Sequence, residues 1–345
     1  MKTILVTGSN GFLGEEIIKN LCHKYKVLAL DKDDQISISN TANIKILKNN
    51  INELSKLENV FQNHEIDTVI HCAAEILDAE DPNEVWRTNY HGTKNLLDLS
   101  EKYDVKKFIF TSTFSIFEKS YISAIDENEL PSAIVDYGKS KYAAENLILR
   151  HSYNNDVVIF RCPVIVGKKR LDKLCLLFEM VRKNISLWSI GSGMNKIHFI
   201  YSSDLIDAMK LSMTLKGKHL FNIGSDNVKS INIVFQKLID HAQSGTKIRK
   251  IPQLIGTYCI KLVYLLGLVS LGPYHQRMLI SNLVLDTNRI KKKLNWAPKY
   301  TNEDMLIECY DYYISTIGQS KDFSSSKKIP NLKILKILGY LDKIL

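Results

Sequence analysis

Tyr137 and Lys141 lie four residues apart, in a segment where Ala143, Leu147 and Ile148 repeat with a helical period. Side chains at this spacing share one face of a helix, one turn from each other. An ammonium beside a phenol favours the phenolate and lowers a pKa that is ordinarily about 10. A phenol tuned in this way is a general base for an alcohol. The spacing alone also fits a solvated helix face, so the prediction needs support from the rest of the chain.

That support comes from a run of hydroxyl residues. Thr111, Ser112 and Thr113 directly follow the apolar residues Phe108-Ile109-Phe110. If this apolar run is a strand of a parallel sheet, the hydroxyls emerge at its carboxyl edge, where ligands bind in such folds. The combination with the tyrosine and lysine favours a catalytic site over a solvated helix face.

The first fourteen residues predict a phosphate site. An apolar run, Thr3–Thr7, passes through Gly8, Gly11 and Gly14 into a helical pattern that begins at Glu15. In a strand, turn and helix of this kind, the first glycine permits a tight turn and the second lets the backbone approach a pyrophosphate. The third glycine lets the helix pack closely on the strand. The helix N-terminus adds N–H groups and a partial positive charge. The alternative is a plain strand-to-helix turn.

An acid follows at the end of the next apolar run, Val27–Asp31. A carboxylate about 20 residues beyond such glycines accepts hydrogen bonds from the adenosine ribose of a dinucleotide. Because it also repels a 2′-phosphate, Asp31 predicts NAD in preference to NADP. The neighbouring Lys32 weakens that repulsion.

Short apolar runs alternate with helical patterns through the first 165 residues. This alternation predicts an α/β fold, a doubly wound parallel sheet (Rossmann) with a smaller C-terminal substrate-binding region. We expect residues 1–167 to form the dinucleotide-binding domain, with later segments crossing back to it. Residues 168–318 form mainly the substrate-binding region, and residues 319–345 a linker and an amphipathic tail. The predicted strands are Thr3–Thr7, Lys26–Asp31, Ile44–Leu47, Thr68–Cys72, Lys107–Thr111, Val157–Arg161, His198–Tyr201 and Phe221–Ile223, and the predicted helices include Glu15–Cys22, Glu84–Tyr103 and Tyr137–His151.

Composition excludes several classes of protein. The 345 residues are 45% hydrophobic and 24% charged, which is ordinary for a globular protein, and we expect no cleavable leader before the first strand. The six cysteines form no CxxC pair and no His/Cys cluster, so we expect no metal site and reduced thiols in the cytoplasm. The net charge is +9, but no long basic run with interleaved aromatics accompanies it, so we expect no nucleic-acid partner.

Taken together, these motifs resemble those of the extended short-chain dehydrogenase/reductase family, also called the NAD-dependent epimerase/dehydratase family. The resemblance covers about residues 1–315. Its carriers are Thr7-Gly-Ser-Asn-Gly-Phe-Leu-Gly14, Asp31, His71-Cys-Ala-Ala74, Asn89-Tyr-His-Gly-Thr93, Thr111-Ser-Thr113, Tyr137-Gly-Lys-Ser-Lys141 and Arg161-Cys-Pro163.

The resemblance implies a role for each matching residue. Tyr137 is the catalytic acid/base, Lys141 lowers its pKa together with the oxidised nicotinamide and holds the nicotinamide ribose, and Thr113 binds the reacting substrate oxygen. The remaining NAD-binding positions are Phe12 and Leu13 in the pyrophosphate turn, Asn50 (usually Asp in the family) and Ile51 at the adenine, Ala73 and Ala74 in the cofactor groove, Asn89 steadying the active-site region, and Pro163 beside the nicotinamide. The family also implies a homodimer that pairs the helices Glu84–Tyr103 and Tyr137–His151.

Departures from the family bear on the substrate. Family 4,6-dehydratases carry Asp-Glu after the catalytic Thr, but Phe114-Ser115 stands here, which disfavours dehydration. Where nucleotide-sugar epimerases usually place a diphosphate-binding Arg, this chain has Ile197, so Lys196 and Arg277 are the candidates to meet a phosphate. The segment around Ile197 is closer to the 3β-hydroxysteroid-dehydrogenase-like branch.

We therefore expect an NAD-dependent epimerase or oxidoreductase that acts on a secondary alcohol or ketone of a sugar-like small molecule, most often a nucleotide sugar. One alternative is a steroid- or lipid-directed dehydrogenase using NAD or NADP. The other is a non-catalytic dinucleotide-binding scaffold, which would typically have lost Tyr137 or Lys141.

The C-terminal tail has a further pattern. Residues 319–345 carry six lysines against two aspartates, and on a helical wheel Lys333, Lys336 and Lys343 lie opposite the branched apolar side chains. This pattern is typical of an interfacial helix and predicts peripheral contact with the inner face of a membrane. The apolar segment Ile251–Leu271 could add a second contact, but Lys261 makes it a poor spanning helix. The alternative is that both segments pack on the protein itself or on a dimer partner.

Overall fold

The computed structural model describes residues 1–34, 37–76, 81–151, 155–171, 174–265 and 280–317, together with Leu335 and Gly339. A seven-stranded sheet has the strand order β10-β6-β5-β4-β1-β2-β3, and all of its pairings are parallel. Two smaller parallel pairs, β8 with β11 and β7 with β9, lie outside it. The strands are β1 Thr3–Thr7, β2 Lys26–Asp31, β3 Ile44–Lys48, β4 Thr68–His71, β5 Lys107–Thr113, β6 Asp156–Cys162, β7 Val164–Val166, β8 Leu187–Ile190, β9 Phe199–Tyr201, β10 Lys218–Asn222 and β11 Ile248–Ile251.

Helices cover both faces of this sheet. They are α1 Phe12–Leu21, α2 Leu54–Asn63, α3 Pro82–Trp86, α4 Thr93–Lys102, α5 Asp136–Arg150, α6 Cys175–Arg182, α7 Ser202–Ser212, α8 Ile231–His241, α9 Gln253–Leu265, α10 Asn288–Leu294 and α11 Asn302–Thr316. A π-helical turn, Arg87–Gly92, joins α3 to α4, and a 3₁₀ turn, Phe114–Ile116, follows β5.

The alternation of side chains along β1 shows how the layers are built. Ile4 and Val6 pack with α1 and α7 in one apolar cluster, whereas Leu5 packs with α2, α4 and α5 in the cluster on the opposite face. A strand covered on both faces reads as a continuous apolar run, which is what the sequence shows. The predicted doubly wound α/β fold is confirmed.

Several strand ends differ from the sequence expectation by one to three residues, and two predicted helices differ in their start or continuity. The helix after the glycines begins at Phe12 rather than Glu15, because Gly11 is its extended N-cap and its carbonyl accepts the Glu15 N–H. Phe12 and Leu13 are therefore the first residues of α1 and not part of the turn before it. The single helix predicted over 84–103 is divided into α3, the π-helical turn and α4.

The later part of the chain contributes to both layers. Strand β10 pairs with β6 at one edge of the main sheet, and α7 packs on the same cluster as α1. A separate apolar cluster joins α6, α8 and α11 through residues such as Phe178, Val234 and Met305. A smaller cluster of Phe114, Ile116, Phe117, Ile125, Leu283 and Leu285 lies at the end of β5.

Most of the predicted linker and tail lies outside the described residues. Leu335 is 4% exposed and belongs to the cluster of α6, α8 and α11, and a Cβ on Gly339 would lie 3.6 Å from Ile185 Cδ1. At these two positions the tail packs on the protein itself, which is one of the alternatives left open by the sequence. Among the described helices, none is long and apolar enough to cross a bilayer.

Replacing Gly14 with Ala tests the close packing of α1 on the turn. A Cβ at Gly14 would lie 2.1 Å from the carbonyl oxygen of Gly8, which is backbone and cannot rotate away. We expect Gly14→Ala to lower the free energy of unfolding by about 1–3 kcal/mol or more, the usual cost of overpacking, in urea denaturation. Gly245→Ala is the matched control, because its Cβ would meet Asn184 at 3.5 Å, an ordinary contact. Equal stability of the two variants would contradict the argument.

Candidate active site

The glycine turn places backbone at the carboxyl end of β1. Gly8 has a φ of +70°, and a Cβ there would lie 2.7 Å from the backbone nitrogen of Ala73 at the end of β4. The N–H of Gly11 donates to the Gly8 carbonyl at 3.1 Å, and no side chain caps the N-terminus of α1. An uncapped helix N-terminus against a side-chain-free turn fits a pyrophosphate.

Asp31 is held at the end of β2. Its carboxylate accepts the Asn10 N–H at 2.9 Å and the Asp33 N–H at 3.2 Å. Its neighbour Lys32 forms an ion pair with Glu75 at 3.0 Å. Because the Lys32 ammonium is occupied by that carboxylate, it is less available to a 2′-phosphate than the sequence suggested. The geometry fits an NAD ribose at Asp31.

Asn89 ties three segments of the site together. Its side chain accepts the Glu75 N–H at 2.8 Å and donates to the Glu75 carbonyl and to Ser140 Oγ, each at 3.0 Å. Ser140 Oγ in turn donates to the carbonyl of Tyr137 at 2.9 Å. Asn89 lies in the π-helical turn and is completely buried. It therefore fixes the loop after β4 relative to the first turn of α5.

Thr113 and Tyr137 meet at the end of β5. The Thr113 hydroxyl lies close enough to the Tyr137 phenol to lower its pKa. Thr113 Oγ1 also donates to Ser115 Oγ at 2.9 Å and accepts the Ser115 N–H at 3.1 Å. The sequence analysis named Ser115 only as a departure from the family, yet the 3₁₀ turn folds it back onto the threonine.

Burial raises the pKa of the Tyr137 phenol, while the hydrogen bond with Thr113 and the charge of Arg170 oppose that rise. This direction is opposite to the lowering that the Tyr/Lys spacing predicts. The physical reason is that the Lys141 ammonium lies 3.9 Å from the centre of the Phe110 ring and is not among the groups that act on the phenol. The chain's own residues thus bury the phenol without lowering its pKa.

Lys141 itself is 2% exposed. Burial lowers the pKa of its ammonium to about 8, and the charges of Cys72, Glu145 and Cys162 act in the opposite direction. Burial also raises the pKa of Cys72 to about 11 and raises that of Cys162 further. Both thiols therefore stay protonated, as expected for core residues.

A buried ion pair lies one turn further along α5. Glu145 accepts two hydrogen bonds from Arg161 Nε at 3.2 Å and one from its Nη2 at 2.9 Å, and it accepts the Ser112 hydroxyl at 2.5 Å. Arg161 also donates to the Glu127 carbonyl at 3.1 Å. The pair locks α5 to β5 and β6, and the sequence analysis assigned Glu145 no role.

His71 extends this network to β1. One ring nitrogen, Nδ1, lies 2.7 Å from Thr7 Oγ1, and the other, Nε2, lies 2.9 Å from Thr93 Oγ1. Since Thr93 donates its proton to the Asn89 carbonyl, its oxygen accepts from His71 Nε2–H. Burial keeps the pKa of His71 well below its ordinary value, so the ring is neutral. No feature of the sequence alone indicated this chain of hydrogen bonds.

The other predicted residues fall into three groups. Ala73, Ala74, Ile51, Asn50 and Pro163 follow the carboxyl ends of β4, β3 and β6, on the same edge of the sheet as Gly8. Lys196 is exposed, and its backbone N–H binds Asn282 Oδ1 at 3.0 Å. Arg277 lies outside the described residues.

A glycine turn, an acid at the end of the second strand, and a half-buried tyrosine one helical turn from a buried lysine define an oxidoreductase of the dinucleotide-dependent class. The chain belongs to the NAD-dependent epimerase/dehydratase family, whose model matches residues 4–224. This membership confirms the predicted NAD cofactor and an enzyme of the extended short-chain dehydrogenase type. The individual site residues stay predictions.

Similarity to individual proteins agrees with the family. An uncharacterized protein of Sinorhizobium fredii, y4nG, is 30% identical over 345 residues, which is 99% of this chain and 86% of that protein. Human dTDP-D-glucose 4,6-dehydratase is 28% identical over 257 residues, 69% of this chain and 73% of that protein.

Two solved structures share the fold. UDP-glucose 4-epimerase of Thermotoga maritima with UDP-glucose has a TM-score of 0.75 at 24% identity, covering 91% of this chain and 99% of that one. WbmG of Bordetella bronchiseptica in complex with NAD has a TM-score of 0.75 at 19% identity, covering 91% and 94%.

Calorimetric titration with NAD and NADP tests Asp31. We expect NAD to bind at least about tenfold more tightly, a difference of about 1.4 kcal/mol, because the carboxylate repels a 2′-phosphate. Asp31→Ser should remove most of this preference. Lys32→Ala is the control and should preserve it, since the Lys32 ammonium is paired with Glu75. Tighter NADP binding by the unaltered protein would contradict the role of Asp31.

The depressed pKa of Lys141 predicts a pH-dependent cost in stability. The ammonium is charged in both the folded and the unfolded chain below pH 8, so the full desolvation penalty applies there. Between pH 8 and the ordinary lysine pKa of 10.5, the unfolded chain binds more protons and stability recovers as pH rises. Lys141→Met should therefore be more stable than the unaltered protein at pH 7, by an amount on the order of 3 kcal/mol at 1.4 kcal/mol per pKa unit. The difference, measured by urea unfolding without added nucleotide, should shrink towards pH 10. A difference independent of pH would show that the buried charge is not its source.

Proposed function

We propose that this chain is an NAD-dependent epimerase or oxidoreductase that acts on a secondary alcohol or ketone of a nucleotide sugar, with Tyr137 as the acid/base. The observation that carries the proposal is the position of Tyr137 in the first turn of α5, beside Thr113 at the carboxyl end of β5 and one helical turn from the buried Lys141. Two hydroxyls at this edge can bind one substrate oxygen from both sides. The glycine turn and Asp31 lie on the same edge of the sheet.

In this proposal, Tyr137 transfers the proton and Thr113 orients the substrate oxygen. The Tyr137 phenolate takes the proton of the substrate hydroxyl as the C–O bond of the substrate becomes a carbonyl. The phenol returns that proton when the carbonyl is reduced. Thr113 orients the substrate oxygen, and Ser115 fixes the Thr113 hydroxyl from two directions. A bound NAD would supply the hydride chemistry at the same substrate carbon.

Lys141 would hold the nicotinamide ribose through its ammonium. Its position over the Phe110 ring places the positive charge beside β5 without contact with the phenol. We infer that the lowering of the Tyr137 pKa requires the positive charge of the oxidised nicotinamide in addition to Lys141. Return of the hydride on the opposite face gives an epimer, whereas release of the ketone gives a net oxidation.

Dehydration is disfavoured by the residues after Thr113. Phe114 is buried in an apolar cluster and Ser115 bonds to the threonine. Among the described residues, the nearby carboxylates are already engaged, since Glu118 accepts the backbone N–H groups of Ile134 and Val135, and Glu145 is paired with Arg161. In this respect the chain departs from what the name of its human relative implies.

The relatives support a nucleotide sugar over the steroid- or lipid-directed alternative. The human relative is named for a dTDP-sugar, and the Thermotoga structure holds UDP-glucose. We also propose a cytoplasmic homodimer paired through α4 and α5, with peripheral contact at the inner face of a membrane and a product that feeds polysaccharide synthesis. The pairing of α4 and α5 rests on the family resemblance.

Tyr137→Phe tests the mechanism. The change removes the proton carrier but keeps the ring, so turnover should fall by about 10²- to 10⁴-fold, the usual contribution of a general acid/base. NAD affinity should be nearly unchanged. Conversion of UDP- and dTDP-sugars is followed by chromatography, which also detects any dehydrated product.

Tyr142→Phe is the control, because Tyr142 lies on the same helix and is packed near the cluster of Phe114 and Phe117. Its turnover should stay within about twofold of the unaltered protein, as for a substitution outside the chemistry. Normal turnover by Tyr137→Phe would refute the proposed acid/base.

A further inference from the structure

Helix α9 exposes its apolar side chains instead of burying them. Leu254, Tyr258 and Leu265 are 76%, 72% and 70% exposed, and Ile255 and Leu262 are 56% and 57% exposed. At 100° per residue these five side chains form a single stripe about 16 Å long on one side of the helix. On the opposite side, Gly256 is buried against Ile190 of β8. The helix is therefore fixed to the protein with an apolar stripe facing outward.

The charged residues that flank α9 in the sequence are all of one sign. Residues 241–285 contain five Lys and Arg residues and no Asp or Glu. Of these, Lys247, Lys250 and Lys261 are exposed, and Lys261 lies at the margin of the stripe. Exposed apolar patches of this size mark protein or membrane contacts, and a basic margin complements an anionic surface.

We propose that the outer stripe of α9, formed by Leu254, Ile255, Tyr258, Leu262 and Leu265, is a docking surface for an anionic lipid bilayer. The stripe inserts at the level of the headgroups and acyl-chain boundary, with Lys250 and Lys261 directed to the headgroups. Tyr258 has an apolar ring and a polar hydroxyl, which suits that depth. This inference deepens the peripheral membrane contact proposed above and assigns it to α9.

A second copy of the chain fits this surface less well. A symmetric contact through α9 would bring Lys261 and Lys250 of both copies into one interface. No carboxylate in residues 241–285 is available to pair with them. Charged residues are depleted from the cores of protein interfaces, whereas lysines at a bilayer extend their ammonium groups to the headgroups.

The described part of the tail lies close to the same small sheet. Gly339 faces Ile185, two residues before β8, and Leu335 packs in the cluster that includes Ile185 and Leu187. Helix α9 contacts the other end of β8 at Ile190. The C-terminal tail and α9, which the sequence analysis predicted to contact a membrane, therefore pack near opposite ends of β8.

Vesicle flotation of the full chain tests the proposal. Vesicles are made of phosphatidylcholine with or without phosphatidylglycerol. We expect the unaltered protein to float with the anionic vesicles, and binding should fall at least about tenfold in high salt or without phosphatidylglycerol, since surface charges are screened. The double variant Leu254→Ser/Leu265→Ser should lose at least about tenfold in binding, and Lys250→Glu/Lys261→Glu should lose binding to anionic vesicles specifically.

The matched control is Ile122→Ser/Leu130→Ser, which changes two apolar side chains of similar or greater exposure elsewhere on the surface. It should float like the unaltered protein. Failure of the unaltered protein to float, or flotation of Leu254→Ser/Leu265→Ser at the unaltered level, would overturn the proposal. The proposal would also be overturned if the unaltered protein does not float and sedimentation shows that Leu254→Ser/Leu265→Ser separates its subunits. That result would make the stripe an interface between two copies of the chain. Flotation requires no substrate, so its result is independent of the outcome for Tyr137→Phe.

Discussion

The buried ammonium of Lys141 is the interaction on which the rest of the site depends. The charge lies against the Phe110 ring, and Glu145 lies one turn further along the same helix. Burying an ammonium is costly, and a ring face and a distant carboxylate recover only part of that cost. The ammonium would regain hydrogen bonds if it met the hydroxyls of a bound nicotinamide ribose. The protein alone offsets only part of the desolvation cost of the Lys141 ammonium, so a bound ligand whose hydroxyl oxygens accept hydrogen bonds from it would be stabilised.

The catalytic helix α5 is held by contacts that the sequence could not reveal. The local motifs were sufficient to predict the glycine turn, the position of Asp31 at the end of a strand, and the placement of Tyr137 and Lys141 one turn apart on a helix, because each depends on neighbours within one turn or one strand end. The bond from Asn89 to Ser140 spans 51 positions, and that from Ser112 to Glu145 spans 33. Such contacts depend on the register of β4, β5 and β6, which becomes visible only when the sheet is assembled. The hydrogen bonds of His71 to Thr7 and Thr93 also join residues that are distant in the sequence, so the motif alone did not indicate them.

Two expectations from the sequence differ from the structure: the first residue of α1 and the direction of the pKa shift of Tyr137. The sequence pattern predicted the start of α1 three residues late, since the N-cap geometry of Gly11 decides where the first intrahelical bond forms. It also gave the Tyr137 pKa the wrong direction for the protein alone, because spacing on a helix does not specify where a flexible ammonium points. Conversely, the sequence indicated a surface contact in the apolar segment Ile251–Leu271, and the described part of that segment, α9, turns an apolar stripe outward.

We propose a mechanism in which hydride leaves and returns to one sugar carbon while Tyr137 moves the hydroxyl proton. Its most direct test is to incubate the purified protein and NAD with a panel of UDP- and dTDP-hexoses deuterated at the oxidised carbon, with UDP-glucose labelled at C4 as the first member. The account predicts transient absorbance of reduced nicotinamide carrying the label, and a product that retains deuterium at the same carbon. Product formation with loss of deuterium to solvent, or no reduced nicotinamide with any member of the panel, would contradict it.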